Sequence, residues 1–172
     1  MGAENIRKEI QTVFDTVIET LDTVAERSVD EVPFEGSWTI GQVAEHIIIS
    51  SRGLPDVKTQ PADRRHDERV PALRGIFSDR SQKSKASPQV YPKETTHNIP
   101  GLIAQLTRNK EKLLQISNGK DLTVLCLDME FPFMGYLTRY EWLTFICVHT
   151  KWHVHQITDI QRHLEARSMN EQ

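Results

Sequence analysis

Apolar residues recur at steps of three and four along four stretches of this chain. That spacing places them on one face of an α-helix. The clearest stripe runs from Ile6 to Val24. Together the stripes predict helices over residues 4–26, 40–52 and 99–116, and from Thr138 to about Glu165.

The starts of the second and fourth predicted helices carry a helix-capping signal. Thr39 is followed three residues later by Gln42, and Thr138 is followed three residues later by Glu141. In such a capping box each side chain satisfies a backbone N–H that the first helical turn leaves without a partner. Both helices are therefore expected to begin at these threonines.

The longest connection lies between the second and third helices. Residues 55–98 hold five prolines and lack a sustained periodic pattern, so they predict a long crossover with one short helix from Val70 to Phe77. Residues 122–135 (LTVLCLDMEFPFMG) form a short apolar stretch. With no second strand evident to pair with it, this stretch is interpreted as an extended lead-in to the last helix. The resulting fold class is all-α: a four-helix bundle in a single domain spanning 1–172.

Composition and charge exclude several classes of protein. The formal net charge is −3, which disfavours nucleic-acid binding because phosphates demand a basic surface. The apolar runs are too short to cross a membrane, and the first residues lack a secretory signal, so we expect a cytoplasmic location. Cys126 and Cys147 form no CxxC pair and are interpreted mainly as core residues.

The crossover carries a local excess of positive charge. Nine Lys and Arg residues lie between Arg52 and Lys85, against five acidic residues. A solvated basic loop is the favoured interpretation, and a site for an anionic group is the alternative.

Two histidines interrupt the apolar stripe of the fourth helix. His149 and His153 occupy positions where the three–four rhythm calls for apolar residues. Their side chains lie one turn apart on the same face, close enough to bind one metal ion. His155 lies about 200° around the helix from His153 and is expected on the outside. An ordinary buried pair of histidines remains the alternative.

A metal site would need a third ligand from another helix. His46 lies on the flank of the buried side of the second helix and is the candidate, whereas His66 and His97 fall in the crossover and His163 is too far along the helix. The geometry permits this site without requiring it.

The motifs in combination resemble a known family. SWTIGQVAEHI, followed about 100 residues later by GYLTRYEWLTFICVHTKWHVHQI, is similar to the DinB-like superfamily of metalloenzymes, in particular its YfiT-like four-helix bundles. The matched pattern is W-[ST]-x-x-[EQ]-x-x-x-H on the second helix and H-x-x-x-H-x-x-Q-[IL] on the fourth. The stretch KSKASPQVYP also resembles the element that precedes the third helix in such proteins.

The resemblance implies more than the residues show alone. It implies an up-down-down-up bundle, often a homodimer, with a divalent zinc or nickel ion held by His46, His149 and His153. It also implies one of two activities on a small-molecule substrate. The leading hypothesis is thiol-dependent transfer to a small electrophile with a low-molecular-weight thiol as co-substrate, and the alternative is metal-dependent hydrolysis.

Other roles stay open at the level of sequence. Asp128 and Glu130, just ahead of the fourth helix, are candidate general bases for a hydrolase, whereas Glu45 adjoins His46 but points about 100° away. A hypothesis of another class is a non-catalytic helical module that binds a metal or a partner.

Overall fold

A computed structural model describes residues 2–79 and 85–171. Within those residues the chain forms five α-helices, two short strands and two turns of 3₁₀-helix. The helices are α1 (Gly2–Asp22), α2 (Ile40–Ser50), α3 (Val70–Ile76), α4 (Ile99–Gly119) and α5 (Arg139–Asn170). The strands are β1 (Thr59–Gln60) and β2 (Leu125–Cys126), and the 3₁₀ turns are Glu26–Ser28 and Pro88–Val90.

The four predicted helices correspond to α1, α2, α4 and α5. The apolar stripe of α1 is buried from Ile6 to Leu21, and its residues join side chains of the other three long helices in one core. Helix α1 packs against α4 and α5, and α2 packs against the same two helices. The all-α class is therefore confirmed, while the up-down-down-up order of the helices stays a prediction.

Both predicted capping boxes are present. Thr39 Oγ1 accepts a hydrogen bond from Gln42 N–H at 3.2 Å, and Gln42 Oε1 accepts one from Thr39 N–H at 3.0 Å. Thr138 and Glu141 make the equivalent pair at the start of α5. These caps fix where α2 and α5 begin, and hence the position along each helix of the histidines that follow.

The interpretation of residues 122–135 as unpaired is wrong. Leu125–Cys126 pairs antiparallel with Thr59–Gln60 of the crossover. The partner strand was not evident because Thr59 and Gln60 are exposed polar residues without an alternating apolar pattern.

The crossover is held to the start of α5 by buried polar contacts. Arg64 donates to both carboxylate oxygens of Glu141, at 2.6 and 2.8 Å, and Arg69 N–H donates to Glu141 Oε1 at 2.8 Å. The Glu141 side chain is fully buried. Leu73 of α3, predicted as part of the short crossover helix, lies in a second apolar cluster with Trp142. These contacts hold the crossover against the start of α5.

Across residues 2–79 and 85–171, none of the helices has the length and apolar character that a membrane span requires.

Candidate metal centre

Three histidine rings from two helices converge at one point. His46 is supplied by α2, and His149 and His153 by α5. The Nε2 atom of His149 lies 3.0 Å from Nε2 of His46 and 3.1 Å from Nε2 of His153. Among the described residues, these three form a group whose ligand atoms all lie within 4.8 Å of one another. The structure therefore brings together the three residues that the sequence singled out.

The outer nitrogens of two rings are held by oxygen acceptors. His46 Nδ1–H donates to the backbone carbonyl of Val90 at 2.7 Å, and His153 Nδ1–H donates to Gln156 Oε1 at 2.7 Å. Because these oxygens can only accept, each Nδ1 carries the proton. The lone pair of Nε2 in a neutral ring is then left facing the other histidines. This is how protein metal sites commonly orient their histidine ligands.

Burial favours the neutral form of all three rings. It lowers the pKa of His149 well below its ordinary value, and the nearby His153 and His46 lower it further. Burial and the neighbouring His46 also lower the pKa of His153 to about 4, despite the opposing hydrogen bond that His153 donates to Gln156. The pKa of His46 is lowered by burial as well, with the Val90 bond acting against it. At neutral pH the site therefore presents three uncharged imidazoles, the form that binds metals.

The donor set fits a divalent metal ion. With protons on Nδ1 of His46 and His153, a proton on His149 Nε2 could serve only one of its two close nitrogen neighbours well. A cation between the rings would satisfy all three lone pairs. Two nitrogens that each lie 2.0–2.1 Å from one ion are at most about 4.2 Å apart, and the 3.0 and 3.1 Å separations fall within that limit.

Aromatic rings surround the three histidines. Trp38 lies 5.2 Å from the ring of His46, and Phe145 and Phe77 lie 5.4 and 5.8 Å from the ring of His149, centroid to centroid. These rings limit the access of water to the histidines and account for part of their burial. The residue Trp38 thus adjoins a candidate ligand as well as the capped start of α2.

Three other histidines lie outside the group. His155 is exposed on α5, as its angular position predicts. The ring of His163 packs against Phe34, and the ring of His66 packs against Tyr140. None of these three rings contributes a nitrogen to the group formed by His46, His149 and His153.

His97 belongs to a separate polar network beside α2. Its Nδ1 lies 2.6 Å from Asp30 Oδ1 and its Nε2 lies 2.9 Å from Glu45 Oε2. Burial lowers the pKa of His97, but the hydrogen bonds with Glu45 and Asp30 outweigh burial, and its pKa is raised overall. Glu45 is thereby directed toward the crossover and away from the face that carries His46.

The two candidate general bases ahead of α5 lie in an exposed loop. Asp128 Oδ2 accepts hydrogen bonds from the backbone N–H groups of Val57 and Lys58, at 2.6 and 3.1 Å. This explains Asp128 as a structural residue of the loop. Glu130 is exposed on the surface.

The two cysteines are buried and free. Burial raises the pKa of the Cys126 thiol to about 12, and it also raises the pKa of the Cys147 thiol; reactive cysteines have a lowered pKa instead. Their interpretation as core residues agrees with these positions.

Several basic side chains of the crossover form ion pairs, two of them with acidic residues outside it. Arg64 pairs with Glu141, Arg65 with Asp67, and Arg74 with Glu9, at 2.6 to 2.9 Å. Arg80 and Lys83, which add to the positive charge of the crossover, lie outside the described residues.

Two groups that orient the histidines were not identified as such from sequence. Gln156 had a signal, because it stands three residues after His153, at the spacing that joins neighbouring side chains of a helix. Val90 had no signal in the sequence, because it contributes only a backbone carbonyl, whose position is set by the path of the crossover.

Comparison with known proteins places the chain in a family. The model of the DinB superfamily matches residues 9–157, which include all three converging histidines and Gln156. The chain belongs to the DinB superfamily. The comparison with curated proteins finds no match, and neither does the comparison with solved structures.

Proposed function

We propose that this protein is a metal-dependent enzyme that transfers a low-molecular-weight thiol to a small electrophilic substrate. The observation that carries the metal dependence is the convergence of the His46, His149 and His153 Nε2 atoms in a largely buried, neutral cluster. Membership of the DinB superfamily supports the proposed metal dependence. The choice of thiol transfer rests on the resemblance to YfiT-like bundles.

The protein's own residues would hold and shield the ion. His46, His149 and His153 would supply three nitrogen ligands, with Val90 and Gln156 fixing two of the rings. Three neutral ligands leave further coordination positions for other molecules, which is typical of catalytic sites and unlike closed structural ones. Zinc and nickel both accept imidazole ligands.

A divalent ion held by these histidines would supply electrostatic activation, since such ions lower the pKa of a coordinated water to about 7 and favour the thiolate form of a coordinating thiol. In thiol transfer, the sulfur of the co-substrate forms a bond to an electrophilic carbon. The leaving group departs with the electron pair of its bond, and the thiol proton passes to solvent. In the alternative reaction, hydrolysis, water takes the place of the thiol.

The reaction is tested with protein loaded with zinc or nickel. The loaded protein is incubated with a chromogenic electrophile such as 1-chloro-2,4-dinitrobenzene, with and without glutathione, bacillithiol or mycothiol. A parallel assay uses a nitrophenyl ester without thiol. Adduct formation that requires both metal and one thiol is the expected result.

A His149→Ala variant is the control for metal dependence, since the reaction of thiols with electrophiles also occurs without catalyst. Cleavage of the ester without any thiol would instead show that the protein is a hydrolase and not a thiol transferase. A wild-type protein that takes up neither zinc nor nickel would refute the proposed metal site and favour a non-catalytic helical module.

A further inference from the structure

A second set of polar side chains lies beside the candidate metal centre without joining it. His97 stands between Asp30 and Glu45, and its ring nitrogens lie 2.6 and 2.9 Å from their carboxylate oxygens. Its backbone N–H also donates to Asp30 Oδ2 at 2.6 Å. The His97 side chain is only 4% exposed. We call these three residues the Asp30–His97–Glu45 network.

The network joins three distant parts of the chain. Asp30 lies in the connection between α1 and α2, Glu45 lies on α2, and His97 lies at the end of the crossover. Carboxylates accept hydrogen bonds only, so both ring nitrogens of His97 donate and the ring is bound as a cation between two anions. A buried arrangement of this kind has one well-defined geometry.

Glu45 also fixes the backbone of the crossover. Its Oε1 accepts a hydrogen bond from Lys93 N–H at 2.8 Å, and its Oε2 accepts one from Glu94 N–H at 3.2 Å. Residues 93–97 are therefore held against α2 at both ends, by backbone N–H groups at one end and by the His97 side chain at the other.

The side chains of the network pack directly against the backbone of α2 at Gly41. A Cβ atom added to Gly41 would lie 2.5 Å from His97 Nδ1 and 2.7 Å from Asp30 Oδ1. Glycine at this position of α2 lets the imidazole and the carboxylate approach the helix backbone. The position of the crossover relative to α2 is thus set by direct contact.

The same segment carries the group that orients His46. Val90, whose carbonyl accepts from His46 Nδ1–H, lies only three residues before Lys93. Tyr91, between them, packs against Trp38 at 5.8 Å, and Trp38 packs against His46 at 5.2 Å. Because the peptide chain is short here, movement of residues 93–97 would move the Val90 carbonyl.

We infer that Asp30, His97 and Glu45 are positioning residues for the metal centre. They hold the crossover on α2 so that the Val90 carbonyl keeps the proton of His46 on Nδ1 and its Nε2 lone pair toward His149 and His153. This inference rests on the proposed function to the extent that the site holds a metal. The orientation of the His46 ring can be tested without metal.

The inference is tested with His97→Gln and with the isosteric Glu45→Gln. The matched control is His155→Gln, which makes the same histidine substitution at an exposed position of α5. Zinc affinity is measured by competition with a chromophoric chelator. The tautomer of His46 in the metal-free proteins is read from the ¹⁵N chemical shifts of its imidazole, with thermal unfolding recorded for each variant.

We expect both network variants to bind zinc about tenfold more weakly. Losses of this size are typical of substitutions at residues that orient the metal ligands without binding the metal themselves. We also expect a mixture of His46 tautomers in place of the Nδ1–H form, and neither effect in His155→Gln. If His97→Gln does not fold, Glu45→Gln carries the test, because its size is unchanged.

The outcomes separate this inference from the proposed function. Unchanged zinc affinity together with an unchanged His46 tautomer in folded variants would overturn the inference. Loss of thermal stability with an unchanged tautomer would also overturn it, because the network would then be merely structural. A wild-type protein that binds neither zinc nor nickel would refute the proposed metal site, while the tautomer measurement would still decide the positioning role.

Discussion

The Nε2 atoms of His46 and His149 lie 3.0 Å apart, although the two residues are 103 positions apart in the chain. Both rings are buried, and the Nδ1–H of His46 is held by the Val90 carbonyl. A contact between two nitrogens without charge is weak unless a proton or a cation lies between them. A metal ion between the rings would provide such a cation.

Replacing His149 by alanine should remove the metal. The Nε2 atom of His149 lies 3.0 and 3.1 Å from the Nε2 atoms of the other two rings, so its loss leaves only two candidate ligands. We expect the zinc or nickel content by elemental analysis to fall from about one equivalent to near zero. His155→Ala, on the exposed side of the same helix, should retain the wild-type content, and equal metal content in both variants would contradict the assignment.

The metal-free protein should lose stability in mild acid through its histidines. The pKa of folded His153 is lowered from 6.5 to about 4, so the unfolded chain takes up a proton at higher pH than the folded chain does. The contribution of this group is therefore present above about pH 6.5 and is lost as the pH falls toward 4.

The measurement is the urea midpoint of unfolding at several pH values from 7 to 5, in the presence of a chelator. Wild type should lose more stability across this range than His153→Gln, which lacks the titrating ring. Parallel losses in both proteins would show that other groups govern the acid sensitivity.

Glu141→Gln should destabilise the fold strongly. The Glu141 carboxylate is fully buried and accepts from Arg64, from Arg69 N–H and from Thr138 N–H. Removing its charge leaves the largely buried Arg64 guanidinium without an anionic partner, at a cost of about 3 kcal/mol. Urea unfolding of the two proteins measures the difference.

Asp67→Asn is the matched control for Glu141→Gln. Asp67 pairs with Arg65, whose side chain is 81% exposed, and exposed pairs contribute little to stability. We expect no measurable change in the urea midpoint. A larger effect for Asp67→Asn than for Glu141→Gln would mean that the buried pair does not anchor the crossover.

Two glycine substitutions should have opposite effects. Gly41→Ala forces a methyl group to within 2.5 Å of His97 Nδ1, and overpacking of this kind typically costs about 1–3 kcal/mol. Gly75→Ala places the same methyl group in open space within α3, where alanine favours the helix by about 0.5–1 kcal/mol. Thermal unfolding should therefore shift down for Gly41→Ala and up for Gly75→Ala; a neutral Gly41→Ala would show that His97 can move without cost.

Neither cysteine should react in the folded protein. Both thiols are buried, and burial raises the pKa of Cys126 to about 12. Since the thiolate is the reactive form, Ellman's reagent should label no thiol rapidly in native protein and both thiols after denaturation. Rapid labelling of one thiol in native protein would point to a local opening of the core.

Much of the fold was predictable because its signals are local. The stripe from Ile6 to Leu21 and the capping pairs Thr39–Gln42 and Thr138–Glu141 depend on residues within a few positions of one another. The strand pair was missed because Thr59 and Gln60 carry no pattern of their own and are defined by the partner they meet.

The candidate ligands were also predictable in part. His149 and His153 stand out because they break an apolar stripe, whereas His46 was favoured by its helix flank and by the family resemblance. The groups that orient these histidines also differ in how far they could be predicted. Gln156 is one helical turn from His153, whereas Val90 contacts His46 across 44 positions of the chain.

The sequence by itself thus determined the helices, their starting points and the histidines suited to bind a metal, because helix periodicity and capping act over one or two turns. Only the tertiary structure decided that three Nε2 atoms face one another and that His97 binds two carboxylates beside them. Those arrangements depend on how α2, α5 and the crossover pack, and packing is fixed by contacts between residues far apart in the chain.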